Sequence, residues 1–260
     1  MRIYPVSKRI MDLLLALFGL LITSPITLPV MFLVWVQDWH SPFYVAERVG
    51  KNFKPFKMVK LRSMVKNADA SGIDSTSNDD MRITPVGHFI RKYKLDELTQ
   101  LWNVLIGDMS LVGPRPNVKR ETDLYTNKEK KLLSVKPGIT DFASIVFADE
   151  GEILSGQSDP DIAYNQLIRP GKSRLGIFYL STESIRIDFL LILITILSIL
   201  SRPKALNATS TLLKKSQAPS ELVIIALRKS HLTPTAPPGT TAIVKTRKIA
   251  PLKNLSGDLD

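Results

Sequence analysis

Twenty-four consecutive residues, Leu13 to Val36, carry no charge, and this run constrains the fold more than any other feature of the chain. As a helix rising about 1.5 Å per residue, it is long enough to cross a hydrocarbon core about 30 Å thick. A plain crossing helix is the first expectation. Ser24-Pro25 and Pro29 fall near its middle, however. Each proline removes a backbone donor and crowds the preceding turn. A sharp bend is therefore expected, with the Ser24 hydroxyl among the local groups available to the freed carbonyls. Arg2, Lys8 and Arg9 precede the run, and Arg48, Lys51, Lys54, Lys57 and Lys60 follow it. Basic flanks on both sides give the positive-inside rule no direction for a crossing and fit a segment that enters and returns to the cytoplasmic face. The absence of a small-residue cleavage site before Gln37-Asp38-Trp39 argues against a secretory signal peptide. Trp35 and Trp39 suit an interfacial belt, although ordinary packing explains them equally.

With 260 residues, the chain can form one moderate domain with appendages. Its formal charge of +11 calls for an acidic partner, either nucleic acid or an anionic membrane surface. The apolar run favours the membrane, and no basic nucleic-acid module is recognisable. Cysteine is absent, and His40, His88 and His231 are too scattered for a zinc site.

Residues 42 to 64 read as a β-hairpin turning at Gly50-Lys51-Asn52. Alternation along its second strand puts Lys60 and Arg62 on one face. That face is either solvated or a contact for nucleotide phosphates or anionic lipid. Lys66 to Asp80 reads as a surface loop, and Asn117 to Leu133 as a polar helix with a solvated charged face. Lys136-Pro137-Gly138 is a turn before a short strand or extended loop. Asp159-Pro160-Asp161 reads as a helix N-terminus. Gly171-Lys172-Ser173 lacks the first glycine of a P-loop, because Gln166 stands there. Residues 174 to 200 form a second helical stretch whose apolar end, Phe189 to Leu200, is too short to span a bilayer. Beyond Arg202-Pro203 the chain becomes polar, basic and rich in proline and threonine. Three parts follow: a re-entrant anchor (1–38), a cytoplasmic domain (39–203), and a flexible basic tail that is disordered or membrane-binding (204–260).

The chemistry is expected in Lys94–Pro116. Leu95, Leu98, Leu101, Trp102 and Leu105 recur at helical spacing before Gly107, predicting an amphipathic helix of about three turns. Asp96 and Glu97 share its first turn, where free N–H groups and the helix dipole gather anions. Adjacent carboxylates raise each other's pKa and repel phosphate, so a productive pair calls for a cation such as Mg2+. Arg91 precedes the helix, and Arg115 sits in Gly113-Pro114-Arg115-Pro116, where flanking prolines restrict a guanidinium suited to phosphate. Together these point to phosphoryl transfer. On spacing alone they read first as ordinary capping electrostatics and a rigid turn.

The block resembles the signature of the bacterial sugar transferase family, the monotopic phosphoglycosyl transferases. The resemblance runs in order through Lys8-Arg9 and Asp12, Ser24-Pro25, Arg48-Val49-Gly50, Lys60-Leu61-Arg62-Ser63-Met64, Arg82-Ile83-Thr84, Leu95-Asp96-Glu97-Leu98, Asp108 to Pro116, and Lys136 to Thr140. It covers residues 8 to 203. Thr99 stands where the family often has proline, Ala46 where it often has glutamine, and Asp141-Phe142-Ala143-Ser144 where many members have Gly-Trp-Ala-Gln. The resemblance implies a mainly helical α+β protein with a re-entrant membrane helix and a small β-hairpin, seated on the cytoplasmic face of the bacterial inner membrane. It further implies transfer of a sugar 1-phosphate from a UDP-sugar to polyprenyl phosphate, as the first membrane step of a surface glycan. Asp96 would be the nucleophile, and Glu97 would bind Mg2+ or handle a proton. Arg91, Arg115, Lys60 and Arg62 would hold phosphates, and Ser24 and Pro25 would form the membrane bend. Direct transfer in a ternary complex and a catalytically inactive membrane scaffold fit the same residues.

Overall fold

The computed structural model describes residues 3–68 and 75–246. The middle of the loop expected over 66–80 and the end of the tail lie outside the described residues. Eleven α-helices are present among them: α1 (Ile3–Val36), α2 (Pro85–Lys92), α3 (Leu101–Ile106), α4 (Lys119–Thr122), α5 (Phe142–Val146), α6 (Glu150–Leu154), α7 (Pro160–Ala163), α8 (Arg169–Thr182), α9 (Ile185–Leu200), α10 (Arg202–Lys215) and α11 (Ser220–Leu227). Strands β1 (Phe43–Val49) and β2 (Pro55–Leu61) form the expected antiparallel hairpin, with Phe43 opposite Leu61 and Val49 opposite Pro55. Asn52 and Phe53 take left-handed conformations in its turn.

The uncharged run lies within α1, which remains helical through Pro25 and Pro29. Ser24 Oγ donates to Leu21 O at 2.8 Å, replacing the backbone donor that Pro25 lacks. One face of α1 packs against the protein: Ala16 and Val34 are fully buried, Val30 nearly so, and a Cβ at Gly19 would lie 3.0 Å from a Leu101 methyl. The other face, including Leu14, Phe18, Leu21, Ile22, Ile26, Leu28 and Phe32, is bare and apolar. A helix that is apolar all round yet half-uncovered is built for a non-aqueous neighbour.

Both ends of α1 are fastened to the same globular body. Near its start, Lys8 Nζ donates to Asp188 at 2.6 Å and to Val112 O at 2.9 Å, while Leu111 N donates to Asp12 at 2.9 Å. Arg9 donates to Val104 O and Leu105 O at 2.6 and 2.8 Å, satisfying carbonyls at the end of α3. Past its C-terminus, Asp38 accepts from the buried Arg62 guanidinium at 2.7 Å.

The main core joins α5, α8, α9 and α10 through fully buried Phe142, Leu175, Leu191 and Leu213. Strands β3 (Ser110–Val112) and β4 (Gly138–Thr140) pair in parallel beneath it. They are too short to leave a periodic signal. Their approach explains two glycines: a Cβ on Gly138 would lie 2.1 Å from Gly113 N, and one on Gly113 2.6 Å from Lys136 O.

Three expectations need correction. The polar helix over 117–133 is α4 plus a separate 3-10 turn at Glu129–Ser134. Its face is not wholly solvated, because Glu129 is fully buried and accepts from Arg169 at 2.9 and 2.6 Å and from Ser173 at 2.7 Å. The stretch 174–200 divides into α8 and α9, with Ser184 Oγ accepting from Ile187 N at 3.3 Å as the cap of α9. The tail is folded as far as residue 246. Ala205, Leu213 and Ala226 of α10 and α11 are buried in the main core. Thr235 N then donates to Gln166 O at 3.1 Å, and Arg174 donates to Ala236 O at 2.9 Å, strapping the following segment across α8. The Asp159 expectation holds: it accepts from Asp161 N and Ile162 N at 3.0 and 3.2 Å and caps α7.

Candidate active site

The helix expected after Lys94 begins instead as a six-residue 3-10 segment, Leu95–Gln100, and continues as α3. Lys94 opens it in a left-handed conformation (φ 54°, ψ 31°). Its inner face is set by Leu95, Leu101 and Val104, which are buried, whereas Trp102 and Ile106 are exposed. Two polar side chains one turn apart stitch this unit to β2. Fully buried Asn103 accepts from Val59 N at 2.9 Å and donates to Lys57 O at 2.7 Å. Thr99 Oγ1 donates to Val59 O at 3.2 Å. Asn103 thus completes the outer edge of β2 much as a third strand would.

This stitching brings Lys60, at the end of β2, to Asp96. The Lys60 Nζ–Asp96 Oδ2 distance is 3.4 Å, and Arg115 Nη2 lies 2.8 Å from Glu97 Oε1. Each carboxylate therefore has its own cation. Burial pushes Glu97 up, but Arg115, Lys94 and Lys60 together outweigh it and hold this carboxyl at about 2. The expectation that adjacency alone would raise the pair is thereby corrected for Glu97. In so short a 3-10 segment, the positive field comes chiefly from these side chains rather than from an α-helix dipole. Burial lowers the Lys60 ammonium, opposed by Asp96 and aided by Arg115. Glu97 in turn raises the Arg115 guanidinium.

The four groups line a cleft of about 1440 Å³ shared with Arg48, Arg91, Glu150 and Lys172. Arg91 stands at the end of α2, which begins at the Thr84 cap, and forms no ion pair among the described residues. Arg48 is depressed by burial and by the neighbouring Arg115 and Arg120, a crowding of cations that an incoming polyanion would relieve. Lys172 pairs closely with Glu150.

Sequence reasoning missed Arg48, Asn103, Glu150 and Lys172. Arg48 and Lys172 had a signal, in Arg-Val-Gly and in the Gly-Lys-Ser set aside as a false P-loop. Asn103 and Glu150 had none, because their partners are distant in the chain.

Arg62 does not join its neighbour Lys60 on the carboxylates. Its guanidinium donates to Asp38 at 2.7 Å and to Ser41 O at 2.8 Å, locking β2 to the end of α1. Strand alternation put both residues on one side, but a long side chain sends its head where a partly exposed carboxylate and carbonyls wait.

Asp96 and Glu97 present hard oxygen donors on consecutive residues, the kind of set that binds Mg2+ through one or two carboxylates. Among the described residues no third acidic or imidazole group completes a cluster with them. The remaining ligands of such an ion would come from substrate phosphates and water.

Comparison with known proteins gives these features a setting. The family model described as bacterial sugar transferase matches residues 3–202. The chain is similar to the exopolysaccharide production protein ExoY of Sinorhizobium fredii, 39% identical over 150 residues, covering 52% of this chain and 66% of that protein. It is 37% identical over 147 residues to the UDP-N-acetylgalactosamine-undecaprenyl-phosphate N-acetylgalactosaminephosphotransferase of Aeromonas hydrophila, covering 55% of this chain and 35% of that protein. It is 40% identical over 148 residues to the undecaprenyl-phosphate galactose phosphotransferase of Salmonella typhimurium, covering 51% and 31%. The matched region thus spans about a third of each phosphotransferase.

Proposed function

Because the chain belongs to the bacterial sugar transferase family, we propose that it is a phosphoglycosyl transferase acting on a UDP-sugar and polyprenyl phosphate. The observation that carries this reading is the ion-paired couple Lys60–Asp96 and Arg115–Glu97 at the wall of a cation-rich cleft. In the proposed reaction an Asp96 carboxylate oxygen attacks the phosphorus that bears the sugar. The bond from that phosphorus to the oxygen bridging to the nucleotide phosphate breaks, and UMP leaves with the electron pair. An oxygen of polyprenyl phosphate then attacks the phosphosugar-aspartate, restoring the carboxylate and giving polyprenyl-diphosphate-sugar. Lys60, 3.4 Å from Asp96, keeps a cation beside the attacking carboxylate. Arg115, Arg48 and Arg91 supply positive charge for the diphosphate, with Arg115 oriented by Glu97.

A carboxyl held at about 2 is a weak proton acceptor near neutral pH, so Glu97 is better suited to anchoring than to proton transfer. When bound, a divalent ion held by Asp96 and Glu97 oxygens would neutralise charge developing on the phosphates. The bare apolar face of α1 supports a seat in the membrane. Its two ends, fastened to one body, support re-entry at the cytoplasmic face of the inner membrane over a crossing. The step proposed is the first membrane step of a surface glycan.

The test is UMP release by the purified chain in lipid with Mg2+, from a panel that includes UDP-N-acetylgalactosamine and UDP-galactose, with and without polyprenyl phosphate. Lipid-dependent release in the wild type, lost in the near-isosteric Asp96→Asn variant, is expected. Substantial transfer by Asp96→Asn would refute the nucleophile assignment.

A further inference from the structure

The segment beyond the family match reaches back to the cleft. Arg228 ends α11 in a left-handed conformation (φ 52°) and is nearly buried. Its guanidinium lies 3.0 Å from Asp149 Oδ2 and 5.3 Å from the centre of the Phe147 ring. Arg202, at the start of α10, lies 2.7 Å from the other oxygen of Asp149. Asp149 opens α6, with its carbonyl accepting from Glu152 N at 2.9 Å and Ile153 N at 3.0 Å. The next residue, Glu150, pairs with Lys172, and its charge acts on Arg115. The Phe147 ring also packs on Gly171, the residue before Lys172: a Cβ on Gly171 would lie 2.5 Å from a Phe147 ring carbon. Phe147, Asp149, Glu150 and Lys172 all line the cleft that holds Asp96 and Glu97.

We propose that Arg228 is a positioning residue which, by gripping Asp149 and covering Phe147, holds the Phe147–Glu150 wall of the cleft in place and thereby sets donor affinity. The part concerning affinity rests on the reading of the cleft as the UDP-sugar site. Without the guanidinium, Asp149 keeps Arg202 alone and the Phe147 ring loses its cover. The Glu150–Lys172 pair is then free to shift relative to Arg115. Arg228 touches no reacting group, so its loss acts on binding rather than on the chemical step.

The experiment compares Arg228→Gly and Arg228→Lys with the wild-type full-length chain in lipid. Glycine is at ease in the left-handed conformation, so Arg228→Gly removes the side chain without straining the turn. Lysine keeps the charge but not the planar fork, and serves as the partial rescue. Hydrogen exchange of the 147–154 amides is expected to quicken in Arg228→Gly and to be intermediate in Arg228→Lys. With UDP-N-acetylgalactosamine or UDP-galactose as donor, KM is expected to rise about tenfold in Arg228→Gly, with kcat within about twofold of wild type. Unchanged exchange over 147–154 in both variants would overturn the proposal whatever the activity. So would faster exchange with wild-type KM in an enzyme that turns over. Faster exchange in a protein whose wild type releases UMP from neither donor would uphold the grip on the wall while sinking the donor-site reading.

Discussion

Asn103→Leu tests whether one buried amide holds the Asp96 carboxylate and its lysine in register. The substitution nearly conserves volume but deletes the bonds to Val59 N and Lys57 O, 2.9 and 2.7 Å long. Both backbone groups face a side chain with no solvent exposure, so water does not readily replace the amide. An orphaned buried donor or acceptor costs about 1–3 kcal/mol, so the pair sums to about 2–6 kcal/mol. In a domain of this size, each kcal/mol shifts Tm by roughly 2–4 °C, giving a fall of at least about 4 °C. Asn103→Asp keeps the acceptor for Val59 N but loses the donor and buries a charge beside Lys57 O. It should be no more stable than the leucine variant. The assay is thermal unfolding of the three proteins in the same lipid at one scan rate, with UMP release measured below the transition. Activity should fall too, because the Lys60–Asp96 pair would be left with Thr99 as the remaining side-chain bond between β2 and the 95–100 segment. A leucine variant melting within about 1 °C of wild type would refute the reasoning, since even one orphaned group should cost more.

Other outcomes follow from the same geometry. Arg62→Ala should loosen the junction of α1 with β2 and lower stability, while a donor KM raised with unchanged stability would return Arg62 to the phosphate site. Gly138→Ala would force a methyl to 2.1 Å from Gly113 N, so the loop bearing Arg115 must move; kcat/KM should collapse, and normal kinetics would show that the loop is not held by β4. Glu97 has its folded pKa depressed to about 2 from an ordinary value of about 4.3, so its contribution to stability is present above the ordinary value and is lost as pH falls toward 2. The stability gap between wild type and Arg115→Gln, followed from pH 6 to pH 3, should therefore narrow on acidification; a constant gap would detach that contribution from the Glu97 pair.

The parts of the fold legible in the sequence are those whose cause is local. Alternation and a Gly-Lys-Asn turn suffice for the β1–β2 hairpin, and a serine beside Pro25 suffices to supply the missing helical donor. Asp159 before a proline suffices for a cap. What depends on distant partners was hidden. Nothing near Glu129 announces Arg169, which is forty positions away, and Arg62 looks like Lys60 until Asp38 comes into place. The apolar face of α10 and α11 was present in Leu212, Leu213, Leu222 and Val223, but polar and proline-rich neighbours diluted its period. The candidate site was legible as residues rather than as pairs. Adjacency in sequence suggested two mutually repelling carboxylates, whereas the fold gives each a different cation.

The fastening of α1 at both ends has a mechanical consequence. Asp38 grips Arg62, and Arg62, just past the end of β2, stands two residues from Lys60. At about 3.3 Å per strand residue, a pull on the trailing end of α1 is delivered within about 7 Å of the Asp96 partner. The leading end is held by Lys8 and Asp12 to β3, next to the loop that presents Arg115. The helix is thus strung between the two cationic arms of the site like a cord between jaws. A load that stretched or tilted it would reach the surroundings of Lys60 and of Arg115 together.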